Sequence, residues 1–333
     1  MISIIDFIKK IFVNDYVIND IWIKGEVSNC KMHSSGHIYF TLKDNNGAMV
    51  AIDPRNGAVI AMVSMPAYDP NLFVHGISSK NYRALSDSPE RTLFNRALRG
   101  QYPPGSTIKP FIGLAGLELK ELQSHDEINC PGWYMLKNDE RRYRDWKKHG
   151  HKKTDLLKAI TESCDVFFYD LALTLGIDNM SSYLAHFGIG KKTGVDLLGD
   201  LSGLNPSREW KRRNRNLPWF PGETLIIGIG QGFMLTTPFQ LATATSAISM
   251  MGQRYKPQMI YAIQNEQNSP LIKSKVERLK SVPISEEKNW SKNKGINIMQ
   301  KQMTPEQEKQ MTVLSLTLYM VKNLQEIGRI LSF

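Results

Sequence analysis

The sequence predicts an α/β fold of the α+β kind, in which helices cover an antiparallel sheet. Two observations predict it. Met49-Val50-Ala51-Ile52, a turn from Asp53 to Gly57, and Ala58 to Val63 make a hairpin pattern. Farther on, Phe111, Ile112, Leu114, Ala115 and Leu117, then Leu156, Leu157, Ala159 and Ile160, and later Leu241, Ala244 and Ile248 recur at helical spacing. With 333 residues, 41% of them hydrophobic, the chain is long enough for a sizeable core and two or three domains. A formal net charge of +10 suits an anionic partner (nucleic acid, membrane surface or wall polymer) or a solvated surface. Three cysteines are too few for a disulfide scaffold. Transmembrane length is not approached by any apolar run, and Met1 to Val13 is broken by Asp6, Lys9 and Lys10, so neither signal peptide nor anchor is expected.

In chain order, Ile2, Ile5, Phe7, Ile8, Ile11 and Phe12 predict a short amphipathic helix. Ile21 to Val27 and His37 to Lys43 alternate as half-buried strands across a Ser/Gly-rich turn. Residues 1–46, through Trp22-Ile23-Lys24-Gly25-Glu26-Val27-Ser28-Asn29 and His33 to Asp44, resemble the start of the N-terminal OB-fold of the exodeoxyribonuclease VII large subunit. That resemblance implies a partial OB-fold, and binding of single-stranded DNA through Trp22, Lys24, Lys31, His37 and Tyr39. Sheet packing and solvated lysines account for the same residues if two strands cannot close the barrel. After the 48–63 hairpin, residues 64–101 read as a loop-rich stretch with Pro66, Pro70 and Pro89, periodic only from Leu93 to Leu98.

The chemistry begins at Tyr102-Pro103-Pro104-Gly105-Ser106-Thr107-Ile108-Lys109, a stiff turn that delivers a serine to a helix start. Residues three apart share a helix face, so Lys109 can bring its amine to the Ser106 hydroxyl. A serine attacks a carbonyl only when a base takes its proton, and a lysine serves as that base only when buried. A bare Ser-x-x-Lys is more often a helix cap with a solvated lysine. Ser163-Cys164-Asp165, a polar loop between two apolar helical runs, changes that reading, because Ser-x-Asp beside Ser-x-x-Lys is the paired signature of penicillin-interacting serine enzymes.

From about Gly47 to Ile263 the chain resembles the transpeptidase domain of the penicillin-binding protein 2 family of peptidoglycan D,D-transpeptidases. Ordered blocks carry the resemblance: Ile52 to Gly57, Tyr68 to Phe73, the Ser106 turn, Arg142 to Lys148, Ser163 to Tyr169, and Gly228 to Gly232 through Thr237-Pro238. It implies a penicillin-binding-protein/β-lactamase-like fold and a serine acyl-enzyme mechanism on peptidoglycan stem peptides, with β-lactams as mimics. Ser106 would be the nucleophile, Lys109 the base, Ser163 the proton relay and Asp165 the orienting side chain. The family is anchored in the inner membrane with a periplasmic domain. A chain with no anchor or signal would remain in the cytoplasm if expressed as written.

Cys130, Asp145, His151 and Cys164 are all good zinc ligands, and two thiolates, an imidazole and a carboxylate would complete a tetrahedral shell, although their spacing alone is irregular. Some relatives carry a zinc site at positions matching these four, with a carboxylate in place of Cys130. A Cys130–Cys164 disulfide, or buried free thiols beside an exposed histidine, are the alternatives.

Lys192-Thr193-Gly194 has the letters of the family's third signature. Its Gly-rich turn soon after the second motif is the wrong setting, since that signature lies far downstream on a sheet strand. The domain is therefore expected to be truncated, with poor or no turnover and with the 48–63 hairpin left with an uncovered edge and apolar face. Arg208 to Arg215 is basic around Trp210; inside a transpeptidase block it reads as surface charge rather than a nucleic-acid patch. Leu225 to Gly230 reads as strand or turn. The expected division is a partial OB-fold at 1–46, a transpeptidase-like domain at 47–264, and an unassigned tail at 265–333. The tail ends in an amphipathic helix over 312–333, through Leu314, Leu318, Val321, Leu324 and Leu331. Three functions follow: an impaired transpeptidase, a DNA-binding fragment, or a nonfunctional mosaic.

Overall fold

The computed structural model of the chain describes residues 26–32, 38–43, 47–265 and 269–284. The helices expected at 2–13 and 312–333 lie outside them, as do Trp22, Lys24 and His37. Two compact units are present, Met1–Asn45 and Asn46–Phe333. In the first, β1 (Glu26–Met32) pairs antiparallel with β2 (Ile38–Lys43), with an irregularity between Ser28 and Lys31 and Lys31 opposite Tyr39.

The second unit begins with β3 (Gly47–Ile52) and β4 (Val59–Met65), antiparallel with Gly47 opposite Met65, as the alternation predicts. The turn between them is held by Asp53, whose carboxylate accepts from Arg55 through N, Nε and Nη2. Val50 and Ile52 face inward onto Leu98, Phe239 and Ala242. On the strand that follows, Ile60, Val63 and Met65 remain exposed.

The stretch after β4 is more structured than its prolines imply. Asp69 caps a 3₁₀ turn at Pro70–Phe73, Ser78 caps α1 (Ser79–Ser86), and Asn95 caps the short α2 (Arg96–Arg99). Side-chain caps, rather than an apolar stripe, define these elements.

Helix α3 (Lys109–Glu118) follows a 3₁₀ turn at Gly105–Ile108 and is buried on nearly every side, as a helix apolar all round must be. Four short strands come next: β5 (Ile128–Cys130), β6 (Trp133–Met135), β7 (Arg142–Arg144) and β8 (Lys152–Thr154), paired β5 to β8 and β6 to β7. Then α4 (Leu156–Thr161) leads through a three-residue loop into α5 (Asp165–His186), which is interrupted at Gly176. Phe111, Leu114, Phe167, Phe168 and Leu171 share one core, with Phe111 edge-on to Phe187 at 5.0 Å.

Beyond lie α6 (Arg208–Arg215), α7 (Pro221–Gly228) and α8 (Pro238–Ser249). Residues 225–228 are therefore helical, not strand or turn. Pro221 opens α7, and Glu223 reaches back to the Phe220 N–H, so the start signals outweigh the β-leaning isoleucines. Gly228 lets α7 meet α5, since a Cβ there would lie 2.5 Å from that of Ala172. Small pairs end the described chain: β9 (Arg254–Tyr255), β10 (Ala262–Ile263), β11 (Ile272–Lys273) and β12 (Arg278–Leu279), with β12 on β9 and β11 on β10. Among the described residues no helix is long and apolar enough to cross a membrane.

Candidate active site

Ser106 is fixed from behind by the Gly-rich turn after α7. Tyr102 and Thr236 exchange backbone hydrogen bonds at 2.8 Å, and the Gly105 N–H donates to the Gly230 carbonyl at 2.9 Å. Gly230 must be glycine: its φ is +71°, and a Cβ would sit 2.2 Å from the Gly105 oxygen.

The three expected polar groups converge. The Ser163 hydroxyl donates to Ser106 Oγ at 2.9 Å. Lys109, 2% exposed, donates from Nζ to Ser163 Oγ at 3.0 Å, to the Ser163 carbonyl at 2.9 Å and to Asp165 Oδ1 at 2.6 Å. Three acceptors use all the donors of an ammonium. The amine thus reaches Ser106 through Ser163 rather than directly, although it lies one turn along the chain.

Ser163 takes a left-handed conformation, φ +53°, uncommon for a residue with a side chain. Its carbonyl is held twice, by Lys109 and by the Trp146 indole N–H at 3.1 Å. Burial pushes the Asp165 carboxyl above its ordinary range, more than the charge and hydrogen bond of Lys109 pull it down.

Next to this array Cys130, Asp145, His151 and Cys164 are all buried, with ligand atoms within 4.8 Å of one another. Asp145 Oδ2 lies 3.6 Å from Cys130 Sγ, 3.4 Å from Cys164 Sγ and 3.5 Å from His151 Nδ1, and Cys130 Sγ is 3.6 Å from that nitrogen. A tetrahedral ion with bonds of about 2.0–2.3 Å spaces its ligands about 3.3–3.8 Å apart, so the four residues fit zinc. Both thiols are free, and His151 is buried rather than exposed. Its Nε2 has no hydrogen-bond partner, with Glu162 Oε2 at 3.9 Å. Burial, reinforced by Asp145 and Cys130, pushes the Cys164 thiol far up.

The two clusters share atoms. Asp145 Oδ2 also accepts from the backbone N–H groups of Asp165 at 2.9 Å and Val166 at 3.1 Å, and Cys164 caps α5 by accepting from the Phe167 N–H.

Thr193 and Gly194 lie in a loop and donate to Asp200 Oδ2, which accepts from both N–H groups and from Thr193 Oγ1. The triplet thus holds a buried carboxylate. In α6, Arg208 pairs with Asp178, Arg213 with Glu209, and the buried Lys211 with Glu223. The four arginines of that cluster are thus at the surface, and Lys211 is inside the fold.

The sequence model of the penicillin binding protein transpeptidase domain matches residues 47–317, past Ile263 where the recognisable blocks end. The chain belongs to this family. The transpeptidase region is 46% identical over 221 residues to the peptidoglycan D,D-transpeptidase MrdA of Acinetobacter baumannii, covering 66% of this chain and 33% of that protein. With MrdA of Escherichia coli K12 it shares 45% over 208 residues, covering 62% and 33%. The chain spans about a third of the length of these curated relatives. Among solved structures it is similar to Pseudomonas aeruginosa PBP2, with a TM-score of 0.70 at 43% identity, covering 76% of this chain and 56% of that one. It is also similar to Helicobacter pylori PBP2 in a complex with MreC, with a TM-score of 0.64 at 34% identity, covering 77% and 44%. A second model, an OB-fold nucleic acid binding domain, matches residues 3–76 and overlaps the transpeptidase match from residue 47.

Proposed function

We propose that this chain is a serine acyltransferase of the D,D-transpeptidase kind, acting on peptidoglycan stem peptides and acylated by β-lactams. The observation that carries the reading is the continuous path from Ser106 Oγ through Ser163 Oγ to Lys109 Nζ. With the amine neutral, both hydrogen bonds reverse. Ser106 then gives its proton to Ser163 as its oxygen bonds to the carbonyl carbon of the penultimate D-alanine, and Ser163 gives its own to Lys109. The terminal D-alanine leaves with a proton returned along the same path, and the remaining acyl ester is taken by an amine of a neighbouring strand. The Ser106 backbone N–H serves as one donor to the oxyanion. Asp165 fixes the amine, and the left-handed Ser163 points its hydroxyl at the nucleophile.

Zinc fits the reading as a structural ion held by Cys130, Asp145, His151 and Cys164. It would supply a fixed cross-link between the β5–β8 strands and the start of α5.

The test is labelling of the full chain by a fluorescent penicillin. Covalent label that disappears in Ser106→Ala, in a variant that melts as the parent does, is the expected result; label that persists would end the proposal. Following loss of label with time then measures turnover.

The OB-fold match favours a second activity for the N-terminal unit, single-stranded DNA binding, for which Lys31 and Tyr39 are register partners on β1 and β2. Oligonucleotide binding that weakens with salt and with Trp22→Ala is its expected signature. Absence of binding at low salt removes it.

A further inference from the structure

We infer that Cys130 and Cys164 form an oxidisable pair, in which a low-molecular-weight disulfide converts the two zinc thiolates into a Cys130–Cys164 disulfide and displaces the ion. The inference rests on the zinc reading above and extends it. Disulfide and metal site, alternatives in the sequence, become two states of the same two sulfurs.

The donor set makes this chemistry available. Two of the four side chains are cysteines, which would be thiolates when zinc is bound, and their sulfurs lie within 4.8 Å of each other. The exchange balances. One thiolate attacks a sulfur of the external disulfide, forming a mixed disulfide and releasing one thiolate. The second protein thiolate attacks the protein sulfur of that mixed disulfide and releases the other. Two electrons pass from the cysteines to the reagent; only Asp145 and His151 would then remain to hold zinc, too few to keep it, and it would be released as the same divalent ion.

The consequence reaches Ser163. Two sulfurs bound to one tetrahedral zinc lie about 3.8 Å apart, whereas bonded sulfurs lie about 2.05 Å apart. Closing that gap of about 1.7 Å falls on Cys130, at the end of β5, and on Cys164, which caps α5 between Ser163 and Asp165. A misplacement of about 1 Å can cost about a hundredfold in rate where groups must be aligned. Acylation in the oxidised state is therefore expected to be at least about tenfold slower.

The experiment uses the full chain with Cys30→Ser, reduced and loaded with zinc, then treated with oxidised glutathione. Released zinc is read with a metal-sensitive dye, the Cys130–Cys164 peptide by mass spectrometry, and the serine by fluorescent penicillin. Expected is one ion released per disulfide formed, slower labelling, and recovery of all three on adding a thiol and zinc. In Cys130→Asp, which keeps a metal-binding carboxylate and removes one sulfur, zinc should stay bound under the same treatment. A reduced chain that takes up no zinc overturns the metal reading and this inference with it. A chain that binds zinc but keeps both thiols under oxidant overturns the inference alone, as does release from Cys130→Asp equal to that from the parent. The parent's own zinc-to-disulfide ratio decides the matter even if that variant does not fold.

Discussion

Lys109→Met separates the structural from the chemical work of the buried amine. The side chain is 2% exposed and donates three hydrogen bonds, two to Ser163 and one to Asp165. Methionine fills similar space but offers none. Removing one member of a buried ion pair costs about 3–5 kcal/mol, mostly because the other charge is stranded. Asp165 keeps 16% of its side chain exposed, and burial already raises its pKa, so it can neutralise itself by taking a proton. The low end, about 3 kcal/mol, is the expected loss in urea unfolding. Lys109→Met with Asp165→Asn removes the stranded charge and should regain most of it. Acylation should behave otherwise: both variants lose the base, worth about 10²- to 10⁴-fold, and neither recovers. With Asp165→Asn alone added, unfolding curves and penicillin-labelling rates on the parent, the two single variants and the double variant form a cycle. A Lys109→Met variant that labels within about threefold of the parent would refute the relay, whatever its stability.

Three further outcomes follow from the same geometry. Gly230→Ala should lose about 1–2 kcal/mol from its left-handed backbone alone; displacement of Gly105 should also slow labelling by more than tenfold, roughly, with unchanged labelling arguing against the turn's role. Thr193→Ala, which removes one hydrogen bond to the buried Asp200, should cost about 1–2 kcal/mol in unfolding and leave the labelling rate alone; a large rate loss would return the triplet to the catalytic site. For Asp53, burial raises the carboxyl, but hydrogen bonds and charge from Arg55, with Asn56, bring it below its ordinary value. A lowered folded pKa stabilises above the unfolded value of about 4 and is lost as pH falls through the folded one. Asp53→Asn should therefore cost about 1 kcal/mol or less at pH 7, Arg55 being partly exposed, and flatten the stability profile below pH 4 or so; an unchanged acid limb would contradict the assignment.

The serine, amine and second hydroxyl were legible because each sits at a strong local signal: a Pro-Pro-Gly turn before the fully apolar α3, and a polar tripeptide between α4 and α5. The 48–63 hairpin was legible from alternation. What escaped reading was assembled from pieces too short to carry a period. β5, β6, β7 and β8 have three residues each, so no alternation distinguishes them from loop, yet they bring Cys130, Asp145 and His151 together. Gly132 and Gly150 were the available signal. Both have positive φ, and a Cβ on Gly150 would lie 2.0 Å from the Cys130 carbonyl oxygen, so the chain crosses itself there. In α7 the isoleucines pointed to a strand, while Pro221 and Glu223 at its start held the deciding information.

Ser163 ties the proposed zinc ligands to the acylation machinery. A left-handed serine persists only if its surroundings over-determine it. On one side Lys109 and Trp146 hold its carbonyl; on the other, the Asp145 carboxylate holds the N–H groups of the two residues after Cys164. Asp145 also touches the other three proposed ligands, so it joins Cys164, itself part of the second motif, in carrying a change at the sulfurs to that motif's backbone. Replacing Asp145 by Asn would keep one acceptor oxygen for those N–H groups while weakening the shell. If the shell matters to catalysis only by holding Ser163, Asp145→Asn should lose zinc affinity by more than it loses acylation rate. Equal losses would mean that the ion's charge, and not only its cross-link, acts on the serine.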